Sequence, residues 1–251
     1  MPRLDLLLVL LLFTVSAQSV FAREAKPKFS LEAVPIMDRT QYLRIAPAPD
    51  YWMLSPFYVP QQTSSACSLA SIAMAVNFVR GVPEGAEEAI VTQSALLTKL
   101  GDASWGEEVA EDGSGVTFAE FVAIVKRSLA AYQLRHHRVE VIRPVDDTAG
   151  ALANLRQVLV ANEADARDVI LVYFNQGVVT GDWDGPHISP IGAYDREARQ
   201  VLIMDVDRKW YVPYWTADTK LLAAMLRPAP AEHGRLAGET GGLIWIKRSR
   251  Q

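Results

Sequence analysis

A single thiol, a small number of imidazoles and an acidic residue at the end of an apolar run are the residues here whose spacing can do chemistry. Cys67 is the only cysteine in 251 residues. It follows the polar turn Gln61-Gln62-Thr63-Ser64-Ser65 and opens a run in which Leu69, Ile72, Ala73, Val76 and Val79 recur at helical spacing until Gly81 and Pro83 stop it. A thiol in the first turn of a helix sits beside unpaired backbone N–H groups, and their partial positive charge favours the thiolate, the nucleophilic form. Gln61, six residues upstream, can add a side-chain amide N–H to the backbone donors and so complete an oxyanion hole.

A thiolate of this kind needs a base. His136 and His137 lie between Arg135 and Arg138 in a solvated charge cluster, and His233 sits in a loop containing Pro and Gly. His187 instead opens an apolar strand directly after Asp184-Gly185-Pro186, where a ring can face a cleft while its strand stays buried, and it is the candidate base. The imidazole needs an orienting acceptor. In Val201-Leu202-Ile203-Met204-Asp205-Val206 a carboxylate follows four apolar residues, and a charge placed there is costly unless paired. Antiparallel pairing of this run with the His187 strand, through a turn at 195–199, brings Asp205 within reach of His187. Asp207, two residues on, shares its phase if the strand continues, so spacing alone leaves both carboxylates open.

The elements that must hold these residues read as helices first and strands second. Helices are expected at about 90–100 and 152–161, with another opened by the Thr117-x-x-Glu120 capping box, and a loop at 101–115. Strands are expected at 139–142, 168–174, 187–194 and 200–206, then a helix at 216–225 and a closing strand at 243–247. The order predicts an α+β protein: a helical lobe whose nucleophile helix packs on an antiparallel β-sheet lobe.

The segment Ala66-Cys67-Ser68-Leu69-Ala70-Ser71 resembles the nucleophile segment of the phytochelatin synthase family, whose members share the Gln, Cys, His, Asp order of the papain-like clan. His187-Ile188-Ser189-Pro190-Ile191-Gly192-Ala193-Tyr194 resembles the family's His-x-Ser-Pro-Ile segment. Asp205-Val206-Asp207-Arg208-Lys209-Trp210-Tyr211, with Pro213 and Trp215, resembles its Asp-Val-x-Arg stretch. The similarity runs from about 51 to 247 and implies a papain-like cysteine protease fold. It implies that Asp205, the aspartate preceding Val, orients the imidazole, that Gln61 is the oxyanion-hole glutamine, and that Arg208 is a substrate-binding residue whose fork suits the glutamyl carboxylate. The sequence departs from the family in two places. Ser68 stands where many members have Gly, and Gly241-Gly242 stands where an Arg-Gly pair is expected.

The activity implied is that of a glutathione γ-glutamylcysteinyltransferase, or of a hydrolase releasing glycine from glutathione through a thioester on Cys67. The partners implied are glutathione or related γ-glutamyl thiol peptides. No resident cofactor or metal is implied, metal entering as a thiolate complex of the substrate, and a homodimer is compatible with the reading. With no cysteine-rich C-terminal region, a short bacterial-type member tending to hydrolysis is expected. Two other readings stand beside it: a papain-like peptidase for ordinary peptides, and an exported binding module with an inactive triad.

Composition narrows the class. Half the residues are apolar and the net charge is −4 without a Lys/Arg run, which excludes nucleic acid as the main partner. Arg3, the apolar run Leu6 to Val15, and Val20 and Ala22 before Arg23 describe a secretory signal peptide over 1–22, with cleavage after Ala17 as second choice. The product is expected to be periplasmic or secreted, with no membrane span. An extended arm is expected at 23–50 and the catalytic domain at 51–251.

Overall fold

The computed structural model describes residues 28–82, 85 and 89–249, so the signal peptide expected at 1–22 lies outside the described residues. Among the described residues seven strands form one sheet: β1 (Val34–Pro35), β2 (His137–Ile142), β3 (Val169–Asn175), β4 (Pro186–Asp195), β5 (Gln200–Ile203), β6 (Tyr214–Ala217) and β7 (Gly242–Arg248). Their order is β1-β6-β5-β4-β3-β7-β2 with every pairing antiparallel, which establishes the α+β class.

Strand β3 explains how the sheet is covered. All seven of its residues are buried. Val169, Leu171 and Tyr173 enter one core with helices Cys67–Arg80 and Phe118–Ala131, while Ile170, Val172 and Phe174 enter a second with helices Ala149–Glu163 and Asp218–Leu226. Helices thus cover both faces, whereas the sequence suggests only one helical lobe against a sheet. A strand buried on both sides reads as an unbroken apolar run.

Local signals account for several helix starts. Thr117 accepts from the Glu120 backbone while Glu120 caps Thr117 in return, and Thr92 caps Gln93–Leu100. The expected loop at 101–115 contains helix Ala103–Glu108, started by Asp102, which accepts from Trp105 N–H at 3.1 Å. The expected helix at 216–225 is preceded by β6, so Thr216 belongs to a strand and the helix begins at Asp218. The described part of the arm is only partly extended. It adds β1 to the sheet edge, then folds into helices Gln41–Ile45 and Pro49–Leu54. Among the described residues no helix is long and apolar enough to cross a membrane.

Candidate active site

The nucleophile helix starts at Cys67 itself, whose thiol is half-buried. Its cap residue Ala66 provides no side-chain acceptor, so the first-turn N–H groups stay available beside the sulfur. Two serines lock the helix. Ser71, one turn on, donates to the Ile188 carbonyl at 3.0 Å and pins the helix against the strand that carries His187. Ser68, the residue that replaces Gly, accepts the Trp105 indole N–H at 3.2 Å. The Ser68 departure and the unforeseen helix Ala103–Glu108 are therefore one feature.

His187 sits near the start of β4, opposite Phe174 of β3, and is buried. Its Nε2 lies 3.1 Å from Asp205 Oδ1 and 3.0 Å from Ser189 Oγ, and Cys67 lies close enough to the ring to raise its pKa. Burial would lower the imidazole's pKa. The Asp205 charge and hydrogen bond, followed by Cys67, outweigh it and hold His187 well above its ordinary value. Thiol, imidazole and carboxylate are thus brought together, the last two joined by a hydrogen bond.

The structure separates the two carboxylates. A bulge at Gly192 shifts the β4–β5 register between Ile191 and Ala193, and β5 ends at Ile203. A Cβ on Gly192 would come within 2.7 Å of Met204 Cγ, so a side chain there would have to displace Met204. Met204 N–H still donates to the Pro190 carbonyl at 2.9 Å, but beyond it the chain leaves the sheet and the strand phase no longer equates 205 with 207. Asp205 turns onto His187. Its Oδ2 accepts from Gln176 Nε2 at 2.8 Å, its Oδ1 also accepts from Asp207 N–H at 2.8 Å, and its carbonyl accepts the Tyr58 hydroxyl. Asp207 instead faces the cleft, its carboxyl pushed up by burial against the lowering charge of His187.

A cleft of about 880 Å³ opens at Cys67 and His187. Gln61 lines it, anchored by its own N–H to the Val206 carbonyl at 2.8 Å. Its side-chain amide donates to Ser64 O at 3.2 Å, and its Oε1 is buried without a partner. An amide group has two N–H bonds, so one remains for an oxyanion at the sulfur.

Arg208 departs from its expected place. It is exposed and does not line the cleft: its guanidinium lies over the Tyr58 ring, 5.3 Å from the centroid. The cation–π contact and the hydroxyl–Asp205 bond of the same tyrosine draw the fork away from the cavity. An arginine side chain at 241 would also find no room, since a Cβ there runs into the Tyr173 carbonyl.

Other cleft residues were not visible in the sequence. Gln176 opens the short helix Gln176–Thr180, far from any motif. His233, read as a loop residue, reaches the cleft with Nε2 2.7 Å from the Asp184 carbonyl and its ring edge-on to Trp183. Ser189 did carry a signal, because two residues after His187 on a strand it must share the ring's face. His137 lies on edge strand β2 and does not line the cleft. Among the described residues no group of three or more His, Cys, Asp or Glu is arranged to hold a metal ion.

A helix-borne thiol beside an imidazole that is fixed by a buried carboxylate defines a cysteine-dependent transferase or hydrolase site. The chain belongs to the phytochelatin synthase family, whose model, described as "Phytochelatin synthase", matches residues 37–234. Glutathione gamma-glutamylcysteinyltransferase 3 of Lotus japonicus is 34% identical over 112 residues, 44% of this chain but only 21% of that protein. The crystal structure of the Pseudomonas avirulence protein AvrPphB covers 77% of this chain and 99% of its own at 12% identity and a TM-score of 0.31, a likeness too loose to carry any argument.

Proposed function

We propose that this protein cleaves the peptide bond between cysteine and glycine in glutathione or a related γ-glutamyl thiol peptide. The observation that carries the reading is the meeting of Cys67 and His187 at a cleft, with Asp205 hydrogen-bonded to the ring behind them, in a chain of this family. The Cys67 thiolate attacks the carbonyl carbon, and the oxyanion forms among the Cys67 backbone N–H and the Gln61 amide. Imidazolium at His187 then gives its proton to the glycine nitrogen, the C–N bond breaks, and glycine leaves a γ-glutamylcysteinyl thioester on the sulfur. The neutral ring takes a proton from the next nucleophile, either water or the amine of a second thiol peptide, and its attack restores the thiol. Asp205 fixes the ring throughout.

The leader-like residues 1–22 support placing this reaction outside the cytoplasm, in the periplasm or the secreted fraction. Mixing the protein with glutathione and following it by time-resolved mass spectrometry tests the activity. An acyl adduct on Cys67 with free glycine appearing in step is expected. Cleavage of ordinary peptides with no glycine from glutathione overturns the reading in favour of a general peptidase, and absence of any adduct or product overturns it in favour of a binding module.

A further inference from the structure

The sheet ends differently at its two edges. At one, β1 is only two residues long, and its Pro35 has no N–H to offer a further strand. At the other, β2 runs for six residues and, among the described residues, pairs with β7 on one side only. Arg138, Glu140 and Val141 of that strand are exposed, Val141 by 41%.

Hydrogen bonds fix which backbone groups of β2 point outward. Ser249 N–H donates to the His136 carbonyl at 2.6 Å, in register with the His137–Arg248 pair, so His136, Arg138 and Glu140 turn their backbone groups to β7. Val139 and Val141 turn theirs away. His137 gives its N–H to the Leu134 carbonyl at 3.0 Å, and its own carbonyl points outward. For a second, antiparallel β2, two registers bring these outward groups together over most of the strand. Centring on Glu140 sets the two Glu140 carboxylates face to face, whereas centring on Val139 sets Arg138 of each copy opposite Glu140 of the other.

We propose that β2 pairs antiparallel with β2 of a second copy of this chain, centred on Val139, so that one sheet runs through a two-fold dimer. Val139 exchanges both backbone bonds with Val139 of the second copy, and each Val141 N–H gives to the opposite His137 carbonyl. The exposed Val141 side chain meets the His137 ring. Glu140 keeps its bond to Lys247, which takes Oε2 at 3.2 Å and leaves Oε1 for the incoming guanidinium. Within its own sheet Arg138 stands opposite Lys247, a like charge, so the second copy supplies the acid that β7 does not. In the groove beside Arg138, Asp165 is held by Arg167 at 2.9 Å and Asp168 by Asn162 at 2.7 Å. No β2 residue lines the cleft, so the pairing leaves Cys67 open and stands apart from the reaction.

Sedimentation equilibrium tests the proposal, and a monomer–dimer equilibrium is expected. Val139→Pro removes the central N–H, which points away from β7, and should give a monomer with the wild-type circular dichroism spectrum. Arg138→Glu and Glu140→Arg each set like charges opposite one another and should raise the dimer dissociation constant about tenfold. Mixing these two single variants restores complementarity and should restore association, as should the double variant Arg138→Glu/Glu140→Arg alone. A monomer at every concentration would mean that solvent or residues outside the described ones cover the edge, and overturns the proposal. A dimer that neither charge reversal weakens, or that the mixture fails to restore, places the contact elsewhere and overturns it equally.

Discussion

Asp205 and Asp50 are both aspartates with almost no solvent exposure, 0% and 1%, yet their surroundings are opposite. Asp205 accepts hydrogen bonds from His187, Gln176 and the Asp207 backbone. Neither oxygen of Asp50 has a partner. It lies near Asn162, but that amide is directed to Asp168 Oδ1 at 2.7 Å, and burial followed by the Asp168 charge raises the Asp50 carboxyl well above its usual range. Glu163 and Asp168, in the same region beneath helix Pro49–Leu54, are pushed by burial to about 7 and about 6. Burial raises a carboxyl group, donors aimed at it oppose the rise, and the balance of the two sets its state. One region keeps an anion to work on an imidazole, whereas the other carries acids that burial drives towards neutrality.

The comparison is broken most directly by removing the anion. Asp205→Ala strands the Gln176 amide, the Asp207 N–H and the His187 ring in a buried space. It should lower kcat/KM by about 10³-fold and stability by about 3 kcal/mol. Asp205→Asn keeps the shape and separates chemistry from folding. With the Asp205 charge gone, burial acts on His187 unopposed by its strongest partner, and the imidazolium is lost at lower pH. His187's raised pKa makes its stabilisation complete below the unfolded value near 6.5, and lost as pH rises through the folded value. The alkaline limb of Cys67 alkylation should thus move to lower pH in Asp205→Asn. A limb that stays in place would mean that Asp205 does not hold the proton on His187.

A smaller change sharpens the same contrast by making Asp205 more like Asp50. Gln176→Leu removes the one side chain that bonds Oδ2 and leaves Oδ1 on the ring. Freed on one side, the carboxylate can rotate away from the imidazole, and about a tenfold loss in kcat/KM is expected. Alkylation of Cys67 should slow in step, since Gln176 acts through Asp205 rather than on the peptide. Unaltered alkylation alongside reduced turnover would make Gln176 a substrate contact instead.

The sequence made the Asp205 region legible and the Asp50 region opaque, for a physical reason. Helix Cys67–Arg80, the Thr117 capping box and the β4–β5 hairpin are local patterns, written in neighbouring residues. The choice between Asp205 and Asp207 was decided by a bulge at Gly192 and by β5 ending at Ile203, both products of tertiary pairing, so strand phase could not resolve it. Strand β6 escaped notice because Tyr214 and Trp215 run straight into a strong helical segment, and the sheet overrides that local preference. Gln176, His233 and Lys28 reach the cleft from positions with no periodic signal. Asp50, beside Pro49 at a helix start, reads as an ordinary first-turn acid until the long-range packing of the arm against Asn162 and Asp168 is known.

Glu163→Gln probes the second region and should have the smallest effect. Glu163 accepts the Tyr42 hydroxyl at 2.9 Å and the Tyr194 N–H at 2.8 Å, but burial outweighs both donors and lifts it from 4.5 to about 7. Between those values the unfolded chain has released this proton while the folded protein retains it. Stability must therefore fall as pH rises, by at most about 1.4 kcal/mol per pH unit from this residue. Glutamine resembles the protonated acid, so the variant should match wild type near pH 5 and exceed it by about 1 kcal/mol near pH 8. Asp50 and Asp168 carry the same sign, so the slope should be reduced rather than abolished. Urea unfolding at the two pH values measures it, and parallel slopes in variant and wild type would show that Glu163 is ionised in the folded protein, erasing the distinction between the two regions at this residue.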